Sequence, residues 1–120
     1  MAMIFQKIKN KIEPGVSLGA YRVKGFGQKK GEPALVYLIR NRHQKNVSQT
    51  EFQRAYTRLA SANGFTRQWF EKNMKCAAAQ PCNFTVIGES FVLLRIADYE
   101  QGKYTLRGTA TTSILADPFP

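Results

Sequence analysis

Hydrophobic positions along the chain fall into blocks of two different periods, and each change of period marks a new element. Ile4, Phe5, Ile8 and Ile12 recur at helical spacing, with Lys7, Lys9 and Lys11 mostly on the remaining arc, which predicts a basic amphipathic helix ended by Pro14-Gly15. So short a stripe favours docking on the domain's own core over a membrane surface. Tyr21 and Val23 then alternate with Arg22 and Lys24, the period of a half-exposed strand over residues 18–26. Leu35, Val36, Tyr37, Leu38 and Ile39 form a denser run, a more buried strand within residues 34–40. Between the two, the glycines of residues 25–32 suit a hairpin connection somewhat longer than the tight two-residue type. They match no dinucleotide or phosphate-loop fingerprint, since the spacing is wrong and no helix pattern follows. A solvated tip and a phosphate-contacting finger both fit this loop, and residues 41–46 read as a polar connector.

The next stretch writes two helix starts in local chemistry. Ser48 and Glu51 have the spacing of a capping box, with Val47 and Phe52 as its hydrophobic staple. Thr66 supplies a second cap, flanked by Phe65 and Phe70, and Asn63-Gly64 has the residue types of the stop between the helices. The first of these helices buries Phe52, Ala55, Tyr56, Leu59 and Ala60 and leaves Arg54 and Arg58 on its wet side. Its successor runs from Arg67 to about Lys75, with Trp69 and Phe70 inward and Arg67, Gln68, Lys72 and Lys75 toward solvent. Residues 76–81 read as an alanine-containing turn, after which Asn83 or Thr85 caps a third helix. Phe84, Ile87, Phe91 and Leu94 make its stripe, and Val86, Val92 and Leu93 widen it enough to bury the helix on more than one side. Residues 96–99 and 103–107 flank Glu100-Gln101-Gly102 as a second hairpin, and residues 108–120 read as a loose tail whose Ile114, Leu115 and Phe119 could instead dock on the domain or on a second copy. The expected architecture is α+β: one domain over residues 1–107, with an N-terminal helix and β-hairpin followed by three helices and a C-terminal β-hairpin.

Composition sharpens this picture mainly through charge. A chain of 120 residues at 43% hydrophobic and 12% aromatic can bury a sizeable core as one domain. Its formal charge of +10 favours polyanionic partners, nucleic acid first and an acidic protein or anionic membrane after it. The charge is lopsided: residues 1–48 carry ten Lys or Arg against two Glu, a balance of +8, and the rest carry eight against six, a balance of +2. No apolar run approaches the roughly 18 residues of a membrane span, and residues 1–11 lack the features of a secretory signal, so the cytoplasm is the expected compartment. Cys76 and Cys82 are then expected to be reduced, partly buried thiols, and His43 alone cannot complete the usual four-ligand zinc set.

Three helices, the last two close together, followed by strand, Gly-containing turn and strand, resemble a winged helix-turn-helix domain. The resemblance covers about Ser48 to Arg107, and its end is carried by Leu93-Leu94-Arg95-Ile96-Ala97-Asp98-Tyr99-Glu100-Gln101-Gly102-Lys103-Tyr104-Thr105-Leu106. It implies a DNA-binding fold in which the helix from near Asn83 enters the major groove and Lys103 sits near the wing tip. That helix departs from the role. Its one basic residue is Arg95 and its acidic one Glu89, leaving mainly Asn83, Thr85 and Ser90 for base edges.

The function expected from the sequence is therefore a non-enzymatic, basic nucleic-acid-binding module, with DNA favoured over RNA and no cofactor or metal. Its candidate residues are Lys7, Lys11, Arg22, Lys24, Lys29, Lys30, Arg42, Lys45, Arg67, Lys72 and Lys103, centred on the first helix and first hairpin, with Phe26 or Tyr21 able to stack on an exposed base. The alternative is a small adaptor or inhibitor that docks on an acidic protein surface, or a homodimer, with the same charge steering association. An enzyme is the weakest reading. His43 has no paired base nearby in sequence, and the few carboxylates are too scattered to suggest a two-metal site.

Overall fold

The computed structural model describes residues 3–40, 42–61 and 63–107 of the chain. Its elements are α1 (Met3–Lys11), β1 (Ser17–Leu18), β2 (Tyr21–Lys29), β3 (Glu32–Ile39), β4 (His43–Ser48), α2 (Gln49–Leu59), β5 (Phe65–Thr66), α3 (Arg67–Asn73), α4 (Cys76–Ala79), α5 (Asn83–Leu93), β6 (Ala97–Glu100) and β7 (Lys103–Leu106). The fold is α+β. Two antiparallel sheets, β1-β2-β3-β4 and β5-β7-β6, share one continuous hydrophobic core with the helices.

The helix starts form as their sequence spells them. Ser48 Oγ accepts from the Glu51 amide while Glu51 accepts from the Ser48 amide, and both staple residues, Val47 and Phe52, are buried. Thr66 Oγ1 accepts from the Trp69 amide at the start of α3. At α5 the expectation fails. Cys82 occupies the cap position without a side-chain cap bond, because the Asn83 side chain is drawn into the core instead.

Strand pairing overrides the sequence pattern in two further places. The polar connector expected at residues 41–46 is, from His43 onward, the strand β4, paired in register with β3 from Ile39↔His43 to Ala34↔Ser48. Its outward edge is finished by side chains: Asn46 donates its N–H to Gln80 Oε1 and accepts at its carbonyl from Asn83 Nδ2. Residues 76–81, read as a turn, contain the single-turn helix α4. The first hairpin is also tighter than expected. Lys29 pairs with Glu32, and the turn is Lys30-Gly31, with φ of 51° and 84° as type I′ requires. Gly25 is spent on a bulge between Val23 and Gly25, not on the turn. The second hairpin repeats the device at Gln101-Gly102, with φ of 49° and 81°.

Aromatic rings carry the packing from one sheet to the other. Phe26 of β2 meets Phe5 edge-on at 5.9 Å, Phe5 meets Phe52, and Phe52 meets Phe91 of α5. Around β5 and β7 a second set forms from Phe65, Phe70, Phe84 and Tyr104. Tyr104 lies so close over α5 that a Cβ added at Gly88 would stand 2.2 Å from its ring, and its hydroxyl donates to Glu89 Oε2 at 2.8 Å. The region read as a loose tail, residues 108–120, lies outside the described residues.

Gly88→Ala therefore overpacks the contact between α5 and β7. It is expected to destabilise the protein by about 1–3 kcal/mol in urea unfolding, and an unchanged midpoint would show that Tyr104 yields freely.

Candidate nucleic-acid interface

Residues on the four-stranded sheet divide by strand alternation into an inner and an outer face. Val23, Leu35, Tyr37 and Val47 point into the core. Arg22, Leu38 and Gln44 stand in one cross-strand row on the other face, where Lys24, the extra residue of the bulge, reaches Gln44 Oε1 at 2.6 Å. Arg40 and Arg42 are exposed at the β3–β4 turn, Arg40 in the left-handed region at φ 54°. Arg22 and Arg40 line a depression of about 130 Å³ together with Ser17, Gly19, Tyr21 and Leu38. No carboxylate lines it. Neither guanidinium holds an ion pair among the described residues.

The cations expected to act together are separated. α1 packs on the inner side of the sheet through Phe5 and Phe26, so its half-buried Lys7 and exposed Lys11 lie across the sheet from Arg22 and Lys24. Lys45 is half-buried in the row of Tyr37, on the inner side. Lys29 is committed to the fold: its Nζ lies 2.9 Å from both Glu51 oxygens, with the two side chains 13% and 18% exposed. Lys30, next to it, is exposed at the turn. Arg67 donates to the Pro81 carbonyl, lies 4.7 Å over the Phe84 ring and has Glu71 at 3.9 Å. Lys72 and Lys103 are exposed on α3 and β7, with Lys103 opposite Glu100.

Of the groups expected to touch bases, the two aromatic ones are partly packed and two of the three polar ones are committed to the core. Phe26 packs edge-on against Phe5 and Tyr21 lies 5.6 Å from Tyr37; both are half-buried, Tyr21 at the rim of the depression between Arg22 and Arg40 and Phe26 beside Lys24 and Gln44. In α5, Asn83 and Ser90 are fully buried. Asn83 Oδ1 accepts from the Tyr37 hydroxyl, and Ser90 Oγ donates to the Val86 carbonyl at 2.7 Å. The helix that the resemblance sends into a groove is a core element. His43 is exposed on β4, opposite Ile39.

Around Tyr37 the two cysteines are free thiols. The Tyr37 hydroxyl lies 3.0 Å from Cys82 Sγ, and burial, then that contact, pushes its ionisation far above the ordinary tyrosine range. Burial, then the Glu51 carboxylate, raises the Cys76 thiol to about 11. At neutral pH Cys76 is therefore a thiol and a poor nucleophile.

A second cationic site went unseen in the sequence because its parts were read separately, Arg54 and Arg58 as a wet helix face and Trp69 as core. Trp69 is only half-buried. It forms one wall of a groove of about 420 Å³ between α2 and α3, with Arg54, Thr57, Arg58 and Ser61 as the rest. Arg54 Nη2 donates to the Asn73 carbonyl at 3.0 Å, Arg58 Nε to the Gly64 carbonyl at 2.7 Å, and the Arg58 guanidinium stands 5.5 Å from the indole centroid. The available signal was two arginines at i and i+4 beside a capped helix carrying the chain's single tryptophan.

Comparison with protein-family models, with curated proteins and with solved structures finds no match.

Two measurements check these assignments. Lys29→Met is expected to cost about 1–3 kcal/mol of stability by stranding the Glu51 carboxylate, while Lys30→Met stays within about 0.5 kcal/mol; equal effects would return Lys29 to the surface set. Alkylation of Cys76 in the folded protein should stay slow at pH 8 and accelerate only as the pH approaches about 11, with the label located by mass spectrometry. Rapid labelling at pH 8 would contradict the raised ionisation of this half-buried thiol.

Proposed function

We propose that this chain is a non-enzymatic, basic nucleic-acid-binding module, DNA before RNA, whose phosphate-contacting surface is the outer face of the four-stranded sheet. One observation carries this reading: Arg22, Lys24, Arg40 and Arg42 gather at that face and its end with no ion pair to any described carboxylate. Unneutralised cations of this kind release condensed counterions when they meet phosphates. Arg22 and Lys24 are mounted on a paired strand, which sets their spacing without requiring a sequence-reading helix and suits binding dominated by the backbone.

The order α2, β5, α3, α5, β6, β7, interrupted by the single-turn α4 between α3 and α5, with β7 between β5 and β6, supports the winged helix-turn-helix resemblance. On this reading the buried α5 serves as scaffold, and Lys103 at the second hairpin is a secondary phosphate contact. The competing reading, docking on an acidic protein, is favoured by Leu93 and Tyr99, large hydrophobic side chains left 45% and 53% exposed. Pull-down with and without nuclease separates the two, since a partner that survives digestion supports protein docking.

Anisotropy of a labelled DNA duplex across a salt series tests the proposal directly. About four to five phosphate contacts, one each at Arg22, Lys24, Arg40, Arg42 and the secondary Lys103, give a slope near −4 in log affinity against log salt. Arg22→Glu with Lys24→Glu is expected to weaken all sequences alike and make the slope shallower by about 2. A flat salt response in the unaltered protein would overturn the reading.

A further inference from the structure

The groove between α2 and α3 has a different chemical character from the sheet face. Its two guanidiniums are positioned by main-chain carbonyls, Asn73 for Arg54 and Gly64 for Arg58, and no carboxylate lines the groove. A carbonyl orients a guanidinium without cancelling its charge, in contrast to the Glu51 carboxylate on Lys29. Both arginines therefore stay fixed and cationic. Beside them the indole of Trp69 offers a flat ring already paired with the Arg58 guanidinium.

The hydroxyls narrow the ligand further. Thr57 Oγ1 donates its hydrogen to the Gln53 carbonyl at 3.1 Å, and Ser61 Oγ donates to the Arg58 carbonyl at 2.7 Å. What each presents outward is an acceptor lone pair. The groove thus asks for an anion, a flat ring and N–H donors within about 420 Å³, a volume in the range of small-molecule sites. One nucleotide supplies all three. Within the nucleic-acid reading, a duplex keeps its base faces stacked and its N–H groups paired, so the free base comes from an unpaired strand.

We infer that this groove binds one nucleotide of a single-stranded nucleic acid, its base against the Arg58–Trp69 pair and its phosphate on Arg54 and Arg58. The inference rests on the nucleic-acid reading above and adds to it a strand state and a second site. Arg54 and Arg58 would fix the backbone, and Trp69 would supply sequence-tolerant stacking.

Because Trp69 is the chain's single tryptophan, its own fluorescence reports the site. The full chain is titrated with an oligothymidylate of about eight nucleotides, within the usual site size for one small domain, with an abasic deoxyribose-phosphate oligomer of equal length, with a duplex and with polyglutamate. Saturable quenching by the oligothymidylate is expected, with affinity at least about tenfold above the abasic oligomer. Arg54→Gln, on an exposed side chain, should weaken it severalfold with an unchanged circular dichroism spectrum. Trp69→Ala, followed by anisotropy of a labelled oligothymidylate, should lose about tenfold. Equal quenching by abasic oligomer or by polyglutamate would overturn the inference in favour of a simple anion site. Salt-dependent duplex binding with no quenching by any strand would sink the groove and leave the sheet-face proposal standing. Absence of all nucleic-acid binding would remove both.

Discussion

The hold of the two sheets on α5 is the constraint from which the rest of the molecule follows. Each sheet commits a buried tyrosine to that helix: Tyr37 of β3 gives its hydroxyl to Asn83, and Tyr104 of β7 presses its ring onto Gly88 and gives its hydroxyl to Glu89. Hydrogen bonds inside a close-packed interior fix direction as well as distance, and a buried donor left without its acceptor is costly. The aromatic chain through Phe26, Phe5, Phe52 and Phe91 fills the space that these contacts define. With most of α5 consumed as core, the cations of the molecule lie on other elements and their turns.

The fold holds cations in three physical states. Lys29 is neutralised and part of the fold. Arg22 on β2 and Arg40 at the β3–β4 turn have no ion pair to a described carboxylate. Arg54 and Arg58 are held in place by carbonyls yet keep their charge. Net charge from composition counts these alike, although only the second and third states are available to an anionic ligand. The difference is set by which neighbours the fold supplies.

What the sequence disclosed was whatever local chemistry decides. The capping box at Ser48, the Thr66 cap and the multi-sided burial of α5 were readable because the groups involved lie within a turn or two of one another. β4 was not readable, since His43, Gln44, Lys45 and Asn46 are polar and become a strand through pairing with β3. The first turn was misjudged because one of three glycines serves a bulge, which depends on register between distant residues. The site suffered similarly. Lys7 and Arg22 are both basic and both near the amino end, but the strand period that sends Arg22 outward says nothing of which side receives α1. The Trp69 groove needed the packing angle of α3 on α2, which no spacing rule encodes.

The side chains that finish β4 have a consequence for how copies of this protein meet. An open strand edge is a template on which another chain can grow, and fibrils begin there. At Asn46 the outward N–H and carbonyl are already taken by Gln80 and Asn83 of the same chain. That position of the β4 edge is thereby closed to sheet extension by groups of the same chain, the neutral amides of Gln80 and Asn83 with the Lys29 ammonium 3.4 Å from the same carbonyl.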